Sequence, residues 1–266
     1  MQTIRLIHNL PRSGGTIISK SLGAQNNVIL LSEIHPDGEG VRNKMNIDSD
    51  IGDPIFQSKD YYNLFTVEEY RKIKNNKICF EEKINTILKK TLSLNKKLVI
   101  RDWAFVDFFG APFIKPTYEN KLLGILEKHY KILNIYILRH PLEMLISCYK
   151  SLPFFRDSYQ ISMFIKSYES FFLNSSKERI IKYEDFCSNP NKNLKRMCEH
   201  LEIEFDENYN TKLGDIRVIG DKSGIESKKI YKKENYVDNF LTKDQKKQIS
   251  DNKNYIELMS KLNNYY

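Results

Sequence analysis

The chain has 266 residues, 41% of them hydrophobic and 12% aromatic, which is enough to bury a full core and too apolar for a disordered or low-complexity chain. No run approaches the roughly eighteen apolar residues of a membrane-spanning helix. A net charge of +8 suits an anionic ligand, a nucleic acid or an acidic surface, and does not choose among them.

Taken in chain order, the first apolar run predicts a strand over Ile4–His8. The N-terminus lacks the long apolar run and cleavage site of a secretory signal. The loop Asn9-Leu10-Pro11-Arg12-Ser13-Gly14-Gly15-Thr16 follows, then helical spacing through Leu22, with Gly23 as a stop. A second strand is predicted at Val28–Leu31, running into Ser32-Glu33-Ile34-His35-Pro36. Residues Asp37 to Asn76 are polar and irregular, with a weak helix over Thr66–Lys74. Residues 37–95 read as an insertion or lid, closed by a stripe of Ile84, Ile87, Leu88 and Leu92. A third strand, Leu98–Arg101, leads into Asp102-Trp103. A helix around Leu122, Leu123 and Leu126 ends near His129. The strongest strand, Ile132–Leu138, ends in Arg139-His140-Pro141. A helix with Leu142, Leu145, Ile146 and Tyr149 follows, Pro141 suiting its first position. Further stripes lie at Ile161–Phe172 and Leu194–Leu201, on either side of a strand at Arg179–Tyr183. Residues 205–266 are charged and loop-like until Thr242, where Thr242 and Gln245 fit a capping box.

Strands separated by helices imply βαβ units. The expected fold is therefore α/β, one domain over 1–266 with a mostly parallel sheet, helices on both faces and a helical lid. Ligands of such sheets bind beyond the carboxyl ends of the strands, so the informative residues are those just after each apolar run. Cys79, Cys148, Cys187 and Cys198 form no CxxC pair, and no Cys/His cluster suggests zinc; a reducing, cytoplasmic setting fits.

The first loop has the makings of an anion cradle. Two adjacent glycines permit close backbone approach, and the N–H groups of Gly14, Gly15, Thr16 and Ile17 can converge at a helix N-terminus. Ser13 and Thr16 add hydroxyls and Arg12 a permanent charge. The nucleotide motif GxxxxGK[ST] is absent, so a kinase would lack its phosphate-binding lysine. At the fourth strand, Arg139 stands on the ligand side and Ser147 lies two turns into the next helix. A guanidinium fork plus a hydroxyl suits a phosphate monoester.

Pro11-Arg12-Ser13-Gly14-Gly15-Thr16 resembles the 5′-phosphosulfate loop of sulfotransferases that use 3′-phosphoadenosine 5′-phosphosulfate (PAPS), usually Pro-(Lys/Arg)-Ser-Gly-(Thr/Ser)-(Thr/Ser). Gly15 departs from the common Thr or Ser. Arg139-His140-Pro141 with Ser147 resembles that family's 3′-phosphate segment, with His140 in place of Asp or Asn. Tyr183-Glu184-Asp185-Phe186 resembles a family strand-to-helix segment, in which we expect Asp185 to cap the helix and Tyr183 to pack. Ile219-Gly220-Asp221-Lys222-Ser223 resembles the late loop that closes over the nucleotide, with Lys222 and Ser223 reaching the 3′-phosphate. The resemblance runs along the whole chain, weakly over 37–95.

It implies transfer of a sulfuryl group to a hydroxyl or amine, with release of 3′,5′-adenosine bisphosphate and no metal. Arg12 would stabilise the leaving group. Glu33 is the first candidate base, Asp102 the second and His35 the third. The histidine common after the third strand is missing, since Ala104 occupies its place. Arg101 would contact the sulfuryl group, and Phe105 could line an acceptor pocket, although core packing also explains it. A small molecule, glycan or lipid is the expected acceptor. Neither nucleic acid nor an integral membrane segment is expected. A small-molecule kinase and a catalytically silent nucleotide-binding protein are the alternatives.

Overall fold

The computed structural model describes residues 1–152, 154–155, 161–221, 230 and 242–266. Five strands form one parallel sheet: β1 (Thr3–Asn9), β2 (Val28–Ile34), β3 (Lys97–Asp102), β4 (Lys131–Leu138) and β5 (Ile180–Lys182), in the order β2-β3-β1-β4-β5. All five predicted strands are present, each within about three residues of its expected ends. Their runs are mostly apolar on both sides because both faces are covered. Ile7, Leu30, Val99 and Ile137 face one way, and Leu6, Leu31, Ile100 and Leu138 the other.

On the first face, α1 (Gly15–Gly23) packs beside the later helix Pro190–His200, whose Leu194, Met197 and Cys198 are buried. The opposite face is covered by helices Pro54–Tyr62, Phe80–Ser93, Lys121–Leu126 and Ile161–Asn174. Residues 37–95, expected as an insertion or lid, thus hold two helices that complete this core: Ile55, Ile84, Ile87 and Leu88 are buried on it. The predicted helix at Thr66 is Val67–Asn75, with a capping box from Thr66 to Glu69.

Strand β2 lies at the sheet edge and would leave backbone groups unpaired. Side chains of helix Pro54–Tyr62 satisfy them. Gln57 accepts from Ser32 N and donates to Ser32 O, both at 2.8 Å. Tyr62 accepts from Leu30 N at 3.1 Å and donates to Leu30 O at 2.9 Å. A register shift between Leu31 and Ile34 marks a bulge, and within it Glu33 takes a left-handed conformation at φ 53°.

One expected cap is corrected. The helix Tyr183–Ser188 starts directly from β5, so Lys182 occupies the N-cap position. Asp185 lies in the first turn and pairs with Lys182 at 3.3 Å. The proposed capping box at Thr242 depends on the side chain of Gln245, which lies outside the described residues. No helix among the described residues is long and apolar enough to cross a membrane.

Candidate active site

With β1 central and β3 and β4 beside it, the sheet topology gathers the loop after β1, the end of β3 and the end of β4 at one edge. The loop turns on Leu10, whose carbonyl accepts from Ser13 N at 3.3 Å and from Ser13 Oγ at 2.7 Å. Ser13 was expected to offer its hydroxyl to a ligand; the structure instead turns it inward, 1% exposed. Arg12 and Gly14 both take positive φ, 62° and 91°. No side chain caps α1 and no acid lies in its first turn. Its leading N–H groups are therefore available to an anion.

The two glycines are held from outside. A Cβ on Gly14 would fall within the ring of Tyr183, and one on Gly15 within the side chain of Asn9. The departure at Gly15 is thus sterically matched to Asn9. Tyr183 packs as expected, and its ring also lies 5.3 Å from the Arg139 guanidinium.

The loop and the end of β4 are tied together. Arg12 Nε donates to Ser147 Oγ at 3.1 Å. Arg139 Nη1 donates to the carbonyl of Arg12 at 3.0 Å, and its Nη2 pairs with Glu143 at 3.0 Å. Tyr168 donates to the Arg139 carbonyl at 2.8 Å. Beneath them, burial pushes the Cys148 thiol up to about 12, so it stays protonated and is no nucleophile.

A second cluster joins β2, β3 and α1. Arg101 Nη2 donates to Glu33 Oε1 at 3.1 Å and to the carbonyl of Ile219 at 2.7 Å. Its Nη1 donates to Thr16 Oγ1 at 3.3 Å. Burial lowers the pKa of Arg101, and Glu33 opposes that shift. Ser32 Oγ accepts from Ile219 N at 2.8 Å, and Lys20 donates to Asp221 at 2.7 Å. Gly220, at φ 84°, therefore sits over the cluster, and a Cβ there would lie 3.2 Å from Glu33 Oε1. Glu33, Thr16 and Arg101 are brought together; Lys222 and Ser223 lie outside the described residues.

The other candidates lie elsewhere. Asp102 follows Arg101 in the strand and so points to the opposite face. There it is fully buried, 3.0 Å from His8 Nδ1 and 2.9 Å from Asn120 Nδ2. The His35 side chain is also fully buried. Its Nε2 pairs with Asp107 at 3.1 Å, and its Nδ1 accepts from Asp37 N at 3.0 Å. Phe105 is 4% exposed, stacked 5.8 Å from Trp103 inside the core. Of the three acid–base candidates, Glu33 alone remains partly exposed, at 24% of its side chain.

Arg42 was not singled out from the sequence. It sits in the short helix Gly38–Lys44 within a polar stretch that carries no motif. Its Nη2 donates to the Glu33 carbonyl at 2.8 Å and lies 3.8 Å from Glu33 Oε2. Its guanidinium covers Trp103 at 4.0 Å. An unusual, fully buried arginine in a polar segment leaves no periodic signal to read.

The fold recurs in solved structures. A sulfotransferase domain from the curacin biosynthetic pathway is similar over 99% of this chain and 98% of its own, with a TM-score of 0.62 and 16% identity. A sulfotransferase domain from the Synechococcus PCC 7002 olefin synthase is similar over 78% and 76%, at TM-score 0.56 and 18% identity. A mouse sulfotransferase complexed with PAP is similar over 100% and 89%, at TM-score 0.52 and 13% identity. No curated protein matches the sequence. The profile of the Sulfotransferase family matches residues 6–207, most of the chain. With this match and the parallel five-stranded sheet, the chain belongs to the sulfotransferase family.

Proposed function

We propose that the protein transfers a sulfuryl group from PAPS to a hydroxyl or amine of a small molecule, glycan or lipid. The observation that carries this reading is the coupling of the uncapped, glycine-bearing loop to the end of β4 through Arg12, Ser147 and Arg139. Arg12 and Arg139 meet in the first cluster and Arg101 reaches Thr16 from the second, which suits a donor carrying phosphates at both ends of its ribose. The mouse neighbour's complex with PAP is consistent with such a ligand. On this reading residues 1–266 form one catalytic unit.

The first-turn N–H groups of Gly15, Thr16 and Ile17 would hold the 5′-phosphosulfate, and Arg139 and Ser147 the 3′-phosphate, with Arg139 exchanging its bond to Glu143 for one to the ligand. Thr16 and Arg101 would bind sulfuryl oxygens. Glu33 would take the acceptor's proton as the new bond to sulfur forms. The bond between sulfur and the bridging oxygen breaks in line, and Arg12 neutralises the charge left on the bisphosphate. Asp102 and His35, both fully enclosed, would support the sheet end and its loop.

Incubation with PAPS and a cell extract should yield sulfated compounds by mass, together with adenosine 3′,5′-bisphosphate. Phosphorylated products formed with ATP, and none with PAPS, would instead favour the kinase alternative.

A further inference from the structure

We infer that Arg42 is a positioning residue for the proposed base, fixing Glu33 at its backbone and at its carboxylate. The inference rests on the proposed sulfotransferase reading. Glu33 adopts a left-handed backbone at φ 53° inside the β2 bulge, a conformation that costs a non-glycine residue free energy. A bulge also takes a carbonyl out of the ladder. Arg42 Nη2 supplies the missing donor at 2.8 Å from Glu33 O, and the same nitrogen is 3.8 Å from Oε2. The other carboxylate oxygen is held by Arg101 at 3.1 Å. One oxygen thus faces each arginine, and the backbone strain is tied to the carboxylate by a single guanidinium.

Arg42 is itself held with little freedom. It is 2% exposed and packs on Trp103. A Cβ on Gly38 would come within 2.9 Å of its Nη1, and one on Gly52 would fall inside the guanidinium. Nη1 is buried with no hydrogen-bond partner among the described residues. Burial lowers its pKa, Glu33 opposing. A buried charge with one idle nitrogen is a costly way to fill space, and an apolar side chain of similar volume would pack there more cheaply. The cost is explained if the charge serves Glu33.

Two independent variants test this. Arg42→Gln removes the charge; Gly52→Ala keeps it and displaces the guanidinium by steric conflict. Gly52 is not in a positive-φ conformation, so alanine fits its backbone. Both variants, compared with Arg42→Lys, should keep the thermal shift given by adenosine 3′,5′-bisphosphate and the KM for PAPS within about threefold. Turnover of PAPS with a cell extract should fall about 100-fold, the loss typical of a misplaced catalytic group. In a crystal structure of Arg42→Gln, Glu33 should leave its left-handed conformation and its contact with Arg101. An unmoved Glu33, or full turnover in both variants, would overturn the inference. Wild-type protein that ignores the bisphosphate would count against the donor reading instead. The position of Glu33 in Arg42→Gln would still decide the role of Arg42.

Discussion

Arg12 Nε donates to Ser147 Oγ across 3.1 Å, although 135 residues separate them in the chain. That bond joins the loop after β1 to the helix after β4. Two motifs that are short and separate in the sequence therefore form one surface. If the surface binds adenosine 3′,5′-bisphosphate, Ser147→Ala should weaken binding about 2- to 10-fold and Arg12→Ala about 10- to 100-fold, by titration calorimetry. The double variant should lose less than the two effects added together, because the residues are in contact.

Gly15 gives a test of the loop's internal packing. Gly15→Thr restores the residue common in the family but drives its Cβ into Asn9. We expect a loss of about 1–3 kcal/mol in stability, the usual range for overpacking. Asn9→Ala in the same chain should return most of it. A Gly15→Thr protein as stable as wild type in chemical denaturation would show that the loop can spread to admit a side chain.

Much of the fold was legible because parallel strands buried on both faces write themselves as nearly continuous apolar runs, as at Ile132–Leu138, broken only by Asn134. The loop and Arg139 were legible because their residue types follow a strand end at close range. What was not legible depends on which face a residue takes. Arg101 and Asp102 are neighbours in sequence, yet one reaches Glu33 and the other His8 on the far side of the sheet. Ser13 reads as a ligand donor, but a turn hydrogen bond to Leu10 claims it. Arg42 and its glycine neighbours become meaningful only when helix Gly38–Lys44 folds back over the bulge of β2.

Glu33→Gln removes the proposed base while preserving shape. Turnover of PAPS should fall by about 100- to 10,000-fold, the range for general-base removal. The thermal shift with the bisphosphate should remain. Asp102→Asn and His35→Gln should act mainly on stability, since both side chains are enclosed. A larger loss of turnover in either of these than in Glu33→Gln would move the base assignment.

Glu184 offers a pH-dependent test. Its Oε1 accepts from His140 N at 2.8 Å, while Oε2 is buried without a partner among the described residues. Burial raises its pKa, and the His140 N–H partly offsets this. A raised carboxyl pKa means the folded state prefers the protonated form. Stability is then lost as pH rises through the carboxyl range and stays lost at neutral pH. Glu184→Gln should therefore raise Tm at pH 7 relative to wild type, and the advantage should shrink as pH falls through the carboxyl range and be nearly gone below about 4, where the carboxyl is protonated in both states. An advantage that grows in acid would contradict the assignment of burial as the cause.

The most direct measurement is a thermal shift with adenosine 3′,5′-bisphosphate beside ADP and AMP. At about 100 times its dissociation constant, a ligand stabilises by roughly 2.7 kcal/mol. For a domain of this size that is about 5–10 °C. A shift of that order with the bisphosphate, lost in Arg12→Ala and Arg139→Ala, is the expected result; a shift with ADP and none with the bisphosphate would contradict the proposed donor.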